Sequence, residues 1–339
     1  QTVMHRTVRT LAQLAQLLHT HEQGGLRMGE HRAATQLGNV VHLHAHVAEH
    51  RAVQAGARLG DAGGLLRNIG HNALTRIGGG GGAQVGDRSP EQIKEAGEIV
   101  IGIFSDKAPF GYIDADGKPA GYDVVYGDRI AADLGVTAKY VPVDAAARTE
   151  VLASNKVDIT LANFTVTPER AEKVDFANPY FKVSLGVVSP TSAEITDVSQ
   201  LAGKTLIVTK GTTAEAYFEA NHPEVKLQKY DQYSDAYQAL EDGRGDAFST
   251  DNTEVIAWAI QHPGFSVGIK SLGDTSYIAA AVKKGNTALL DWLNNELVEL
   301  GKENFFHKDY EQTLAPVYGD AATPDDLVVE GGVDSTSTN

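Results

Sequence analysis

The constraint that most limits the fold of this chain is an alternation of short β-branched runs and helical segments that occurs twice. Residues 97–103 form a β-branched run expected to be a buried strand. A hairpin-like turn follows at 114–119. Residues 123–134 have helical spacing, and Gly135 is placed to stop that helix. Residues 139–143 read as a strand, 145–155 as a helix and 157–161 as a strand. Strands that alternate with helices imply a largely parallel α/β sheet. The pattern then restarts with a strand at 205–209, a helix at 214–221, a strand at 225–230, a helix at 233–241 and a strand at 246–249. This implies a second, smaller α/β lobe. A strand at 277–283 and an amphipathic helix at 287–301 close the series, with Leu289, Leu290, Leu293, Leu297 and Leu300 on or near one face.

Composition narrows the function classes. The 339 residues carry a net charge of −15 and contain no cysteine. The acidity argues against nucleic acid and against an anionic membrane surface. Without cysteine there is no disulfide, thiolate metal site or thiol nucleophile. No stretch reaches the ~20 apolar residues of a spanning helix.

The first 90 residues differ from the rest. They hold nine of the twelve histidines, nine arginines, no lysine and five acids, so they are about +4 and the remainder about −19. Gly78-Gly-Gly-Gly-Gly82 is a linker signal. Residues 1–90 also lack the pattern of a secretory signal. They are expected to be a disordered or mistranslated segment standing where an export signal belongs. His42, His44, His46 and His50 have spacings that suit a transition metal. No carboxylate or thiolate completes that set, so no metal site is assigned.

The richest local signal is Leu161-Ala-Asn-Phe-Thr-Val-Thr-Pro-Glu-Arg170. An apolar strand end runs into a polar turn, and one arginine is fixed shortly beyond. A guanidinium matches a carboxylate two-pronged and stays charged at any working pH. From residue types alone, Arg170 serves equally as a surface ion-pair partner of Glu169 or Glu172.

Six motifs occur in order: Ala108-Pro-Phe-Gly-Tyr112, Gly121-Tyr-Asp-Val124, Thr165-Val-Thr-Pro-Glu-Arg170, Val174-Asp-Phe-Ala-Asn-Pro-Tyr180, Lys210-Gly-Thr-Thr213, and Gly245-Asp-Ala247 followed by Asp251. Through them, residues 93–332 resemble the family-3 extracellular solute-binding proteins of polar amino-acid ABC transporters. Ala162-Asn-Phe-Thr165, Lys210-Gly-Thr-Thr-Ala-Glu-Ala-Tyr217 and Phe305-Phe-His-Lys-Asp-Tyr310 bring the cysteine-binding members nearest.

The resemblance implies a two-lobed periplasmic-binding-protein type II fold with a hinge and an interlobe cleft. Lobe 1 is expected at 91–187 plus 278–332, lobe 2 at 188–277, and a disordered tail at 333–339. The two crossings are expected near 185–189 and 275–279. The ligand carboxylate is assigned to Arg170, Thr165 and the helix start at Gly211, Thr212 and Thr213. Thr212 and Thr213 are also plausible as plain N-caps. The ligand ammonium is assigned to Asp251, with Ala162 and Asn163 as further acceptors, while Asp246 is taken as structural. Arg148 faces the ligand side chain, where it would meet an acidic group, a thiol through water, or an ion-pair partner. Phe164, Phe110 and Lys107 are expected as floor and wall, and Lys107 disfavours basic ligands. Trp258, Trp292, Phe305 and Phe306 read as core.

The function implied is capture of a small L-amino acid by hinge closure and delivery to an ABC permease, with L-cysteine first and aspartate or glutamate next. The protein is expected to be an extracytoplasmic monomer with no cofactor, metal, nucleic-acid partner or catalytic residue. One alternative is a prephenate-type dehydratase, with Glu150 or Glu215 as acid. A receptor sensor domain is the other.

Overall fold

The computed structural model describes residues 83–334. The expectations for 1–82, including the histidine cluster and the glycine run, and for 335–339, lie outside the described residues. The described chain runs α1 (Pro90–Ala96), β1 (Glu98–Ile103), β2 (Asp106–Lys107), β3 (Gly111–Ile113), β4 (Pro119–Ala120), α2 (Tyr122–Leu134), β5 (Thr137–Pro142), α3 (Glu150–Ala153), β6 (Ile159–Thr160), α4 (Pro168–Ala171) and β7 (Val174–Pro190). It continues with β8 (Thr205–Thr209), α5 (Thr213–Asn221), β9 (Lys226–Tyr230), α6 (Tyr233–Glu241), β10 (Ala247–Asp251), α7 (Asn252–Gln261), β11 (Phe265–Lys283), α8 (Thr287–Lys302) and α9 (Phe305–Thr313).

Eight strands form one sheet in the order β5-β1-β6-β11-β7-β10-β8-β9. One end is parallel, with β1 between β5 and β6. The other end is parallel too, with β8 between β10 and β9. This is the expected alternation and its restart. The two ends are joined by β7, of 17 residues, and β11, of 19, which pair antiparallel along their lengths. The strand expected at 277–283 is therefore the last part of a much longer one. Between Val183 and Leu185 on β7, the partner on β11 moves from Ser276 to Leu272. Two residues on one strand against four on the other is an irregularity that bends and twists the ribbon locally.

The helical stops follow local chemistry. Gly135 ends α2 in the left-handed region, where its N–H reaches the carbonyls of Ala131 and Ala132. In α8, Leu289, Leu293, Leu297 and Leu300 are fully buried, and Leu290 packs at the margin. Phe306 is buried in the same cluster, against which Phe305 and Trp292 pack. Trp258 stacks on Tyr237 and His262. The helix expected at 145–155 is broken instead. A 3₁₀ turn at Ala145–Ala147 precedes Arg148, and α3 holds four residues.

Residues 83–90 pack on the rest of the described chain, and Arg88 holds them there. Its guanidinium pairs with the buried Asp158, with Nε donating at 2.9 Å. The same carboxylate accepts from the Gly86 and Val100 amides at 3.1 and 2.8 Å. Asn286 Nδ2 donates to the carbonyls of Gly86 and Arg88, at 2.9 and 3.0 Å.

Removing one partner of a buried pair leaves an uncompensated charge, which costs about 3–5 kcal/mol. Arg88→Ala is expected to lower stability by that amount in urea titration. A loss below about 1 kcal/mol would show that residues 83–90 are not part of the body's stability.

Candidate functional site

The loop leaving β6 is held in an unusual conformation. Ala162 and Asn163 both have positive φ, 24° and 42°. Such backbone costs of order 1–3 kcal/mol per non-glycine residue and persists only where its surroundings enforce it. Here the Asn163 N–H donates to Asp123 Oδ2 at 2.7 Å, and Asp123 Oδ1 accepts from the Tyr180 hydroxyl at 2.6 Å. Burial pushes the Asp123 pKa up to about 6, although these two hydrogen bonds oppose the shift.

The strained turn aims its carbonyls at Arg148, which is 3 % exposed. Arg148 Nη1 donates to the Ala162 and Asn163 carbonyls at 3.1 and 3.2 Å, Nε to Ala145 at 3.0 Å, and Nη2 to Gly211 at 3.2 Å. Arg170 follows the Thr167 cap of α4. Its Nη1 donates to the Thr165 carbonyl at 2.7 Å and its Nη2 to the same Gly211 carbonyl at 2.8 Å. The Phe164 ring lies against both guanidiniums, at 4.6 and 4.9 Å. Among the described residues neither arginine has a carboxylate partner. Burial pushes both guanidinium pKa values down, and for Arg170 the adjacent Arg148 charge adds to it, giving about 9. A guanidinium does not lose its proton inside a protein. The shift therefore registers positive charge that the surroundings leave uncompensated.

A second charge cluster adjoins the first. Lys107, at 1 % exposure, places Nζ 2.7 Å from Asp251 Oδ2, 3.4 Å from Glu254 Oε2 and 3.2 Å from the Tyr233 hydroxyl. Burial opposes the ammonium charge, but Asp251, Tyr233 and Glu254 outweigh it and its pKa is raised. Burial is also the main reason the Glu254 pKa is pushed up to about 8. Asn163 Nδ2 donates to Asp251 Oδ2 at 2.9 Å, while Asn163 Oδ1 is buried without a donor.

Gly211 ties the two ends of the sheet together. Its φ is +76°, and a Cβ there would stand 2.5 Å from Ala146 Cα. Only glycine lets the β8–α5 turn approach the turn at Ala145–Ala147 so closely. The Gly211 N–H donates to Glu215 Oε2 at 2.6 Å. A second tie is the Ser234 N–H on Asp106 Oδ2, at 3.0 Å.

These contacts bring together Arg170, Arg148, Phe164, Thr165, Ala162, Asn163, Gly211, Lys107 and Asp251. Thr213 joins Asp251 in lining a cavity of about 130 Å³ with Tyr217, Ser184 and Ser276. Thr212 is the N-cap of α5, accepting from the Glu215 N–H and donating to the Thr209 carbonyl. Phe110 sits fully buried in the core, edge-on to Phe181 at 5.5 Å and Tyr122 at 6.4 Å. Asp246 accepts the Thr205 N–H.

Sequence reasoning missed Glu254, Tyr233 and the bracing role of Asp123. Glu254 follows Asp251 by three residues at a helix start, a spacing that puts two side chains on one face. That was the available signal.

Residues 99–314 match the family described as bacterial extracellular solute-binding proteins, family 3. The crystal structure of the solute receptor for L-cysteine of Neisseria gonorrhoeae is 51% identical, with a TM-score of 0.70. It covers 71% of this chain and is itself covered completely. The cysteine-binding protein of Campylobacter jejuni is 50% identical at the same TM-score, covering 71% of this chain and 98% of its own. The ABC transporter glutamine-binding protein of Bacillus subtilis is 28% identical over 227 residues, 66% of this chain and 83% of its own. The chain belongs to the bacterial extracellular solute-binding proteins of family 3, and its architecture is their two-lobed type II periplasmic-binding fold. It is an amino-acid-binding member of the ABC-transport class.

The raised carboxyl groups fix a sign for pH dependence. Burial pushes the Glu254 carboxyl up to about 8 from its ordinary value of 4.5, so between those limits the folded state holds the extra proton. Stability contributed by protonated Glu254 is complete below the unfolded value and is lost as pH rises toward 8. Melting temperature is expected to fall between pH 5 and pH 8. Glu254→Gln is expected to flatten that slope by up to about 1.4 kcal/mol per pH unit. An unchanged slope in the variant would remove Glu254 as the source.

Proposed function

We propose that this protein binds L-cysteine between its lobes, closes on it by a hinge and delivers it to an ABC permease outside the cytoplasm, acting as a monomer. The observation that carries this reading is the pair of guanidiniums bonded only to carbonyl oxygens, next to a buried Asp251–Asn163 acceptor pair.

A guanidinium has five N–H donors. Arg170 gives two to carbonyls and keeps three. It can therefore grip the ligand α-carboxylate two-pronged, with Thr165 and Thr213 beside it. Arg148 gives four to carbonyls and keeps one. A single remaining donor suits a one-atom acceptor such as sulfur better than a second carboxylate, which favours cysteine over aspartate or glutamate. The names of the Neisseria and Campylobacter relatives support the same choice. Asp251 and Asn163 Oδ1 would take the ligand ammonium, with Lys107 holding Asp251 in place. Phe164 would form the floor. Phe110, expected as wall, packs instead in a separate core cluster against Tyr122 and Phe181 and is given no ligand contact.

We assign lobe 1 to 91–187 plus 278–332, joined by residues 83–90, and lobe 2 to 188–277. The hinge is the β7–β11 ribbon, where the register changes. The acids that a dehydratase would use are poorly placed. Glu150 is exposed, and Glu215 is engaged by the Gly211 N–H and Lys229.

The test is calorimetric titration of the full chain, stripped of ligand by unfolding and refolding. Reduced L-cysteine is expected to bind one-to-one, and L-aspartate, L-glutamate and L-glutamine at least about 100-fold more weakly, some 2.7 kcal/mol. Arg170→Met removes two charge-assisted bonds at ~1.5–3 kcal/mol each and is expected to weaken cysteine by about 100-fold or more. Gly211→Ala, which blocks closure against Ala146, is expected to weaken it by at least about tenfold. Tighter binding of an acidic amino acid would make Arg148 a carboxylate ligand and overturn the choice of cysteine.

A further inference from the structure

We propose that L-cysteine is held in this site as the thiolate, with Arg148 as its counter-ion, so that each binding event releases the thiol proton to solvent. The inference rests on the cysteine reading above and concerns the charge state of the ligand.

Arg148 meets charged and titratable groups from every element around it, and the cations outnumber the anions. Asp251, from β10, faces the Lys107 ammonium at 2.7 Å, while Glu254, from α7, lies 3.4 Å from the same ammonium and is kept protonated by burial up to about pH 8. Asp123, from α2, is bound by the Asn163 N–H and the Tyr180 hydroxyl of β7. Burial pushes the phenols of Tyr180 and of Tyr233, from α6, above their ordinary value, so they stay neutral. What remains is positive: Arg148, and Arg170 from α4, both on one carbonyl oxygen.

Lys107, Arg148 and Arg170 carry three positive charges against two negative ones on Asp251 and Asp123, and a zwitterionic ligand, which brings one of each sign, leaves that excess of one unchanged. A buried charge without a counter-charge is expensive, and the ligand's own ionisation is the available remedy. Distance permits it. The two Nη2 atoms are no farther apart than 3.2 Å and 2.8 Å taken together. In cysteine the sulfur is three bonds from the carboxyl carbon, so both anionic groups can reach their separate cations.

Neighbouring cations lower thiol pKa values to ~3.5–7.5, against about 8.5 when free. The S–H bond breaks heterolytically, the electron pair stays on sulfur, and the proton passes to water or buffer. Arg148 cannot accept it, being already protonated. The same balance gives specificity. A serine hydroxyl does not ionise, so serine leaves Arg148 unbalanced and is expected to bind at least about 100-fold more weakly.

The chain contains no cysteine, so any thiolate ultraviolet band in the complex belongs to the ligand. The first measurement is that band followed from pH 5 to pH 9 in the cysteine complex. The bound thiol is expected to titrate at about 6 or lower, some 2.5 pH units below its free value of about 8.5 and a roughly 300-fold shift in its ionisation constant. Arg148→Met is expected to return it toward the free value, and Arg148→Lys to hold it low.

The second measurement is titration calorimetry at pH 7 in two buffers of different ionisation enthalpy. It is expected to show about one proton released per cysteine bound. L-Serine at saturating concentration is expected to release none, which separates the ligand thiol from the protein's own titrating acids. Cysteine that binds tightly while its thiol titrates at or above the free value overturns the thiolate and leaves the cysteine reading standing. Absence of cysteine binding removes both.

Discussion

Two antiparallel strands, β7 and β11, carry the architecture. Each runs through both ends of the sheet, so the two parallel half-sheets are joined by one ribbon. A ribbon shared by two parallel half-sheets has one soft place. Around 183–185 on β7 and 272–276 on β11 the register slips, and the regular ladder gives way. Away from that place each strand is pinned. β10 holds one end through Leu185–Val188 pairing partners, and β6 holds the other at Ala281 and Val282. Stiff ends with a slipped middle are what a hinge between two rigid bodies requires, and the proposed closing motion uses that middle.

The charged cleft follows from the same layout. Arg148 and Arg170 come from the first half, while the carbonyl they share comes from the turn after β8 in the second. Lys107 likewise reaches across to Asp251 and Glu254. The polar contacts that bridge the halves gather here, beside an apolar one in which the Phe104 ring meets Tyr233 edge-on at 5.3 Å. Burying cations against neutral carbonyls is a weak bargain compared with burying them against a carboxylate. The site is thus poised for an anion, and the positive-φ turn at Ala162 and Asn163 is the strain that keeps it so.

Much of this was legible in the sequence, and the illegible parts have physical causes. Strand 205–209 and helix 233–241 agree with the structure residue for residue, because each is bounded by turn residues and carries a single period. The long strands were not foreseen, since burial on both faces leaves β7 with no alternation to read. The helix at 145–155 failed at Arg148, whose side chain is drawn inward by the Ala145 carbonyl three residues back and by three more, of Ala162, Asn163 and Gly211, that lie 14, 15 and 63 positions away. Residues 83–90 were grouped with the preceding segment because composition is blind to one buried arginine finding Asp158 seventy positions away. Glu254 escaped for a similar reason, as its partner Lys107 lies on a distant two-residue strand. Arg170, Asn163 and Asp251 were legible as candidates because the resemblance named them, while their contacts were not.

The Gly211 carbonyl explains why closure should respond to the ligand. In the closed arrangement it accepts from both arginines, so it acts as a latch made of a neutral oxygen. Hydrogen bonds to an ionised acceptor are roughly twice as strong as those to a neutral one. A ligand bringing its own negative charge into that gap therefore strengthens the closed state more than the open one, where water screens the same cations. Population shifts only in proportion to such a difference. A latch of carboxylate strength would hold the lobes shut without ligand, and one with no acceptor would leave two buried guanidiniums facing each other. The neutral carbonyl lies between these extremes, and Gly211 is the residue whose missing side chain allows it to reach that position.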